Sequence, residues 1–434
     1  MNYKDEITHI YDSDPQNEWE RMDRHRTEFA VTLRALDENL PPPPARILDC
    51  GGGPGRYAIE LAQRGYQVTL FDLSTGNLEL AKQMAVEAGV ESIGYAQGTA
   101  TDLSQFESQS FDAVLLMGPL YHLLDENDRR NAVSEAYRVL RSNGVLFAIF
   151  LPRYSPLRYS VAHALNWPLE LPEHVQTLVR TGSLPPRGIS EAEFVAHFAH
   201  PAEVKTLIRS AGFEIKTVLG VEGLVSQIEA QINQLSGEAW DFWLDLNYQV
   251  APDPSIHGAV EHLLAIAIKP RWRRALRKVA AKLNDARIPY KVVGGTVTAL
   301  YGIATPVNDV DIEFSAEDVY RAENILAEFM TNPVEFKESE FYRSHIGHLE
   351  IDSQLVEIFG QLERRQSDKW ISSSAVTHNT IKIEGVTVQI PWLEEETLSY
   401  IRRGKLDRAA LCLPHCDPER LRALLTGEQP TNVI

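Results

Sequence analysis

Cysteine is scarce in this chain: Cys50, Cys412 and Cys416 are the whole complement of 434 residues. Three thiols so placed build no disulfide framework, which leaves stability to buried apolar cores and suits a reducing, cytoplasmic setting. Long hydrophobic runs are missing too. No stretch approaches the roughly 20 apolar residues that cross a bilayer, and the opening Met-Asn-Tyr-Lys-Asp-Glu-Ile lacks a signal peptide's apolar region, so no membrane partner is expected. Positive charge is short as well, with 42 Lys and Arg against 60 Asp and Glu and a formal net charge of −18. That balance repels polyanions and favours a small-molecule acceptor. One acid-free run, Lys269 to Lys282, keeps RNA open as a second acceptor class, although such runs usually form the solvated face of a helix. Oligomeric state is not legible from composition.

The length predicts two or three domains, each able to bury its own core. Near the start, Arg46-Ile-Leu-Asp-Cys-Gly-Gly-Gly-Pro-Gly-Arg-Tyr57 and then Val68-Thr-Leu-Phe-Asp72 read as strand, glycine turn, helix, and a strand ending in an acid. Gly51, Gly53 and Gly55 allow positive φ and a close approach of backbone to ligand, and Asp72, about twenty residues on, can accept both ribose hydroxyls of an adenosine-bearing cofactor. A dinucleotide fingerprint would place glycine at position 56, where Arg56 stands.

Further motifs follow in order: Gly98-Thr-Ala-Thr-Asp-Leu103, Ser110-Phe-Asp-Ala-Val-Leu-Leu-Met-Gly-Pro-Leu-Tyr-His-Leu123 and Glu135 to Phe150. Together they resemble class I S-adenosylmethionine-dependent methyltransferases. The resemblance implies an α/β fold, a Rossmann-like sheet with helices on both faces, over residues 1–270. It implies a cofactor site of Asp49, Gly51, Gly53, Gly55, Asp72, Thr99, Ala100, Asp102 and Gly118. Asp49 would order the turn and reach the methionine amino group through water. Relatives commonly have an acid where Thr99 stands, so Thr99 or Asp102 is left to hold the adenine amino group. Gly118 to His122 should face the methyl group, with His122 as a base or as a residue orienting the loop, and Tyr121 as an acceptor contact or wall.

Strands at 46–50, 67–72, 112–117 and 145–150 alternate with helices at 56–64, 76–89 and 128–141, the rhythm of a parallel sheet. Residues 15–39 have helical spacing and precede the proline run Pro41 to Pro44, which suggests a helix over the cofactor mouth and a stiff connector. Residues 151–201 lose that rhythm and read as an insertion that covers the acceptor.

From 271 the chain begins again. Tyr290-Lys-Val-Val-Gly-Gly-Thr-Val and Asn308-Asp-Val-Asp-Ile-Glu-Phe314 read as a strand, a Gly-Gly turn opening a helix, and a strand with acids at i and i+2. Period two puts Asp309 and Asp311 on one face, where Mg²⁺ relieves their repulsion. Gly294, Gly295 and Thr296 offer backbone N–H groups to a triphosphate. This region, roughly 275–415, resembles polymerase-β-like nucleotidyltransferases, especially the small antibiotic and toxin-type members, and implies a smaller α+β domain over 271–434. The family's third acid, on a later strand, would be Glu350 or Asp352 of Gly347-His-Leu-Glu-Ile-Asp352, completing a metal set with Asp309 and Asp311. Many relatives have an arginine shortly before the first acid, where this chain has Thr305, Val307 and Asn308.

The reading is a bifunctional transferase that moves a methyl group from S-adenosylmethionine and, with Mg²⁺, a nucleotidyl group from a nucleoside triphosphate to a hydroxyl. Two alternatives stand beside it: a methyltransferase with a degenerate nucleotide-binding domain that regulates or dimerises, and a toxin or defence protein that modifies RNA or protein.

Overall fold

The structure is a computed structural model describing residues 8–9, 11–184, 195–366, 368–372 and 379–426. The chain divides into two compact units, Met1–Lys269 and Pro270–Ile434.

The first unit is a doubly covered sheet. Its strands are β1 (Arg46–Cys50), β2 (Gln67–Asp72), β3 (Gly94–Gln97), β4 (Phe111–Leu116), β5 (Leu140–Pro152), β6 (Ser183–Leu184), β7 (Ala196–Ala199), β8 (Glu214–Gly220) and β9 (Leu263–Ile268). The main order is β3-β2-β1-β4-β5-β9-β8, parallel through β5 and antiparallel from β5 to β9 and from β9 to β8, while β7 and β6 extend from the far end of β5. The central strands are apolar on both faces because helices cover both. Ala132, Val133 and Ala136 of helix Glu126–Val139 pack on one face. Val31, Ala35, Ala58, Leu61, Leu78 and Ala81 of three other helices pack on the opposite face.

Two departures from the sequence reading affect the site. The helical region 15–39 is two helices, Pro15–Arg24 and Arg26–Asn39, broken at His25, whose φ of −116° and ψ of 57° are not helical. His25 Nδ1 is instead bonded to Glu229 at 2.8 Å, a long-range contact to which periodicity is blind. The insertion forms helices Ser155–His163, Trp167–Glu170 and Pro172–Thr181 with a small core of Leu151, Trp167, Leu178, Leu184, Ala196 and Phe198, against which Tyr121 packs.

The second unit holds β10 (Lys291–Val293), β11 (Asp309–Phe314), β12 (Met330–Glu338), β13 (Tyr342–Ile351), β14 (Gln354–Gln366), β15 (Lys369–Ser372) and the hairpin of β16 (Asn379–Ile383) and β17 (Val386–Ile390). The order β10-β11-β14-β13-β12 makes β14, parallel to β11, the neighbour of the paired-acid strand. Val310, Ile312, Val356 and Ile358 alternate onto the buried side with Leu276, Val279 and Leu283 of helix Arg271–Asp285. The opposite side carries the acids. Four basic residues of that helix are paired within the unit: Arg274 and Lys278 reach Asp352 at 3.0 Å, Arg277 reaches Glu384 at 3.3 Å, and Lys282 reaches Glu328 at 2.7 Å.

Candidate active sites

In the first unit, a cavity of about 320 Å³ opens at the carboxyl ends of β1, β2 and β4, where open parallel sheets bind ligands. Asp49, Gly51, Gly53, Asp72, Thr99, Ala100, Gly118, Tyr121 and His122 line it. The glycine turn is backbone-led: Gly51, Gly53 and Gly55 have φ of 72°, 56° and 87°. Gly118 approaches so closely that a Cβ there would lie 2.9 Å from the Gly51 carbonyl oxygen. Asp72 accepts hydrogen bonds from the N–H of Gly53 at 2.8 Å and of Ser74 at 2.9 Å, so it is already aimed at the turn. Asp49 differs, being 1% exposed with an Oδ2 that has no hydrogen-bond partner. Burial, reinforced by the charge of Asp72, pushes its carboxyl up to about 7. An orphaned buried carboxylate oxygen fits a cationic ligand, and S-adenosylmethionine carries both an ammonium and a sulfonium.

Two predicted residues stand outside the lining. Gly55 caps helix Arg56–Gln63 in the left-handed conformation. Asp102 is exposed and turned to the Ser104 N–H at 3.0 Å, so of the two candidates for the adenine contact it is Thr99 that faces the cavity.

His122 lies among aromatic rings, with Tyr121 at 4.6 Å and Tyr11 at 5.4 Å between ring centres. The Tyr11 hydroxyl is 2.7 Å from Nε2, and Nδ1 is 3.3 Å from the Val195 carbonyl oxygen. The carbonyl can only accept, so Nδ1 carries the proton and Tyr11 donates to Nε2. Burial lowers the imidazole to about 4, which keeps it neutral near pH 7.

Tyr11, Glu18, Arg21 and Met22 also line the cavity; the sequence reading places the helical region 15–39 over the cofactor mouth through its apolar spacing, Met22 included, but does not single out Tyr11, Glu18 or Arg21. The available signal was Glu18 and Arg21 at i and i+3 beside the apolar Trp19 and Met22, an ion pair flanking a packing stripe. Arg21 also holds Glu28 through two nitrogens at 2.7 and 3.1 Å. Glu28, Glu222 and His262 form a close group of possible metal ligands, yet its charges are matched without an ion. Burial alone would lower His262, and the carboxylates of Glu28 and Glu222 outweigh it and push the imidazole up to about 9. Burial alone would likewise raise Glu28, and Arg21 and His262 bring it down to about 2. This is a buried ion-pair network beneath the cavity wall.

In the second unit, Asp309 and Asp311 share a face of β11. Register corrects the expected third acid. Asp311 lies opposite Glu357 on the adjacent β14, whereas Glu350 sits on β13, one strand further out. Asp352 follows β13 in a turn at φ of 52° and is drawn to Arg274 and Lys278. Two basic side chains on the helix behind the sheet thus turn it from the face that spacing alone assigned to it. Glu357 in turn lies 3.4 Å from His348 Nε2. Burial, with the charges of Asp309, Glu357 and Glu396 behind it, pushes Asp311 up to about 7, and Arg403 opposes this. A half-buried acid facing three others suits a divalent cation with oxygen ligands.

The Gly-Gly turn abuts these acids. Gly294 has φ of 74°, and a Cβ there would lie 2.6 Å from Asp311 Oδ2, so only glycine fits. Gly295 opens the helix Gly295–Leu300, and Thr296 Oγ1 donates to the Asp309 carbonyl at 3.2 Å, tying turn to acid strand.

Residues 48–148 match a methyltransferase domain family, and residues 275–411 match the aminoglycoside-2″-adenylyltransferase family. A ubiquinone biosynthesis O-methyltransferase of Xanthomonas axonopodis is 29% identical over 44% of this chain and 72% of its own length. A tRNA 5-carboxymethoxyuridine methyltransferase of Escherichia coli is 31% identical over 33% of this chain and 50% of its own length. Among solved structures, a Thermotoga maritima protein assigned as a nucleotidyltransferase is 30% identical, with a TM-score of 0.30, over 37% of this chain and 95% of its own. A Methanosarcina mazei S-adenosylmethionine-dependent methyltransferase is 22% identical, with a TM-score of 0.39, over 54% and 97%. The chain thus carries a methyltransferase-type domain followed by a nucleotidyltransferase-type domain, each matching its family over part of the chain.

Proposed function

We propose that the chain is a bifunctional transferase of the cytoplasm, with small molecules as acceptors at two separate sites. The observation that carries the reading is that each unit has its own aspartate held ready for positive charge, the buried Asp49 above the glycine turn and the half-buried Asp311 among carboxylates. The three free cysteines suit that compartment.

In the first unit, Asp49 and Asp72 bind and orient S-adenosylmethionine, and the Gly118–His122 loop closes the wall nearest the transferred methyl. Bound there, the cofactor would supply a methyl carbon whose bond to sulfur breaks as the acceptor's lone pair bonds to it. The acceptor's proton passes to the Tyr11 hydroxyl while the Tyr11 proton passes to His122 Nε2, neutral and able to accept it.

In the second unit, Asp309, Asp311 and Glu357 would hold Mg²⁺, which supplies charge neutralisation at the phosphates. An acceptor hydroxyl attacks the α-phosphorus of a nucleoside triphosphate, pyrophosphate leaves, and the nearby Glu357 takes the hydroxyl proton. The net charge of −18 favours neutral or aminated acceptors over nucleic acid.

Labelling from α-labelled triphosphates in Mg²⁺ tests the second activity. Label transfer by the native chain that Asp309→Asn with Asp311→Asn abolishes, with S-adenosylhomocysteine binding unchanged, is the expected result. No metal-dependent transfer from any of the four triphosphates would leave a methyltransferase with a degenerate second domain.

A further inference from the structure

The acids of the second unit account for a metal but leave the polyphosphate without a cation from the protein, since the stretch before Asp309 offers Thr305, Val307 and Asn308. Two guanidiniums are tied to the Gly-Gly turn from another direction, Arg408 directly and Arg403 through Glu396. Helices Leu393–Arg402 and Leu406–Cys412 pack beside it. A Cβ added at Gly295 would lie 3.5 Å from Arg408 Nη1, so this arginine stands over the second glycine. Its guanidinium is bonded to the Tyr400 hydroxyl, which in turn lies 3.0 Å from Thr298 Oγ1 in the helix that the turn opens. On the first glycine, Glu396 is 3% exposed and accepts the Gly294 N–H. The same carboxylate accepts Arg403 Nη2 at 3.0 Å. Arg403 is therefore anchored through one buried acid to the turn, within electrostatic reach of Asp311.

We propose that Arg408 and Arg403 are the polyphosphate-binding side chains of the second unit, with Glu396 the positioning residue that fixes Arg403 and the Gly294 backbone together. The inference rests on the nucleotidyltransferase reading above. The site is thus divided by charge. Asp309, Asp311 and Glu357 hold the cation side, while Arg403 and Arg408 face the phosphate chain. Arginine rather than lysine matters because two or more directed N–H donors engage phosphate oxygens at once. In the absence of phosphate, Arg403 is the counter-charge that Glu396 and Asp311 require. When polyphosphate arrives with its metal, the cation takes over that role and one face of the guanidinium is freed for phosphate oxygen.

The test is calorimetric titration of the full-length chain with ATP, GTP, CTP, UTP and inorganic tripolyphosphate in Mg²⁺, with S-adenosylhomocysteine as the control for an intact first unit and thermal unfolding as the control for the second. Arg408→Gln and Arg403→Gln should each weaken triphosphate and tripolyphosphate by at least about tenfold, and Arg408→Lys should recover only part of the loss. Nucleoside affinity should not change. Glu396→Gln, which keeps an oxygen acceptor for the Gly294 N–H but loosens Arg403, should fall between native and Arg403→Gln, and combining it with Arg403→Gln should add little. Unchanged triphosphate affinity in the arginine variants, with binding still abolished by Asp309→Asn and Asp311→Asn, overturns this assignment and leaves the nucleotidyltransferase reading intact. No triphosphate or tripolyphosphate binding by the native chain overturns both.

Discussion

Two aspartates in this molecule, Asp49 and Asp311, are each pushed up to about 7, and they reach that value by different routes. Asp49 is lifted by burial and the charge of Asp72, which itself meets only neutral N–H donors, while the cationic groups beside them are answered: Arg21 by Glu18 and Glu28, His262 by Glu28 and Glu222. Asp311 is lifted by burial and by Asp309, Glu357 and Glu396 together, with Arg403 against them. The first site leaves Asp49 and its neighbour Asp72 without a cationic partner, a lack that an organic cation can fill. The second is short of more than one positive charge, which calls for a multivalent ion. Like carboxyl values therefore say little about the ligand; the surrounding charges do.

The comparison breaks most visibly at the acid pair. Asp309→Asn with Asp311→Asn should lower metal-dependent nucleotidyl transfer by roughly a thousandfold or more, because metal stabilisation of transferring phosphate is worth several kcal/mol. The paired carboxylates no longer repel, so unfolding temperature should hold or rise. A fall in both activity and melting temperature would mean that the pair supports the fold instead.

Next in size is the network beneath the first cavity. Glu28→Gln leaves Arg21 and His262 buried without their shared partner and should cost about 3–5 kcal/mol, the range for breaking a buried ion pair. The network also sets a pH dependence. His262 is raised in the folded chain from an ordinary 6.5 to about 9, so its stabilisation is complete below about pH 6.5 and is lost as pH rises through about 9. Thermal unfolding between pH 6 and 10 should show that decline, and His262→Gln should flatten it.

A smaller effect separates the two aspartates directly. A cationic cofactor binds the ionised form of Asp49, so S-adenosylmethionine affinity should rise by up to about tenfold from pH 6 to 7.5, and Asp49→Asn should remove the slope. Calorimetry at fixed ionic strength reads it. A native slope unchanged in the variant would move the proton to another group.

These charge relations explain what the sequence disclosed and what it withheld. The β1 turn, Asp72 and the alternation of strands and helices were legible because a βαβ unit keeps its parts within about thirty residues and each part has a local cause: glycine for positive φ, apolar runs for buried strands. Glu357 was hidden because its place beside Asp311 depends on β14 lying between β11 and β13, and nothing local in Gly347 to Asp352 reports which strand of a hairpin pairs with a distant one. Tyr11 was hidden for the same reason, being separated by some hundred residues of chain from the His122 it meets. The break at His25 depends on Glu229, again a partner that no window of helical periodicity contains.

The smallest expected effect sharpens the contrast at a single hydrogen bond. Tyr11 donates to Nε2 of a neutral His122, and a bond to the neutral form holds the imidazole down in addition to burial. Tyr11→Phe should therefore raise His122, while burial among Tyr121 and the cavity wall still keeps it under its ordinary 6.5. The NMR titration of the ring protons reads this without any knowledge of the acceptor. S-adenosylhomocysteine affinity should stay within about threefold, since the lost bond joins two side chains and its net worth is about 1 kcal/mol or less. An imidazole that instead rises to 6.5 or above would mean that the Tyr11 segment, by excluding water, is what makes the site low in dielectric, and that its closure over the cavity rather than its hydroxyl governs the proton.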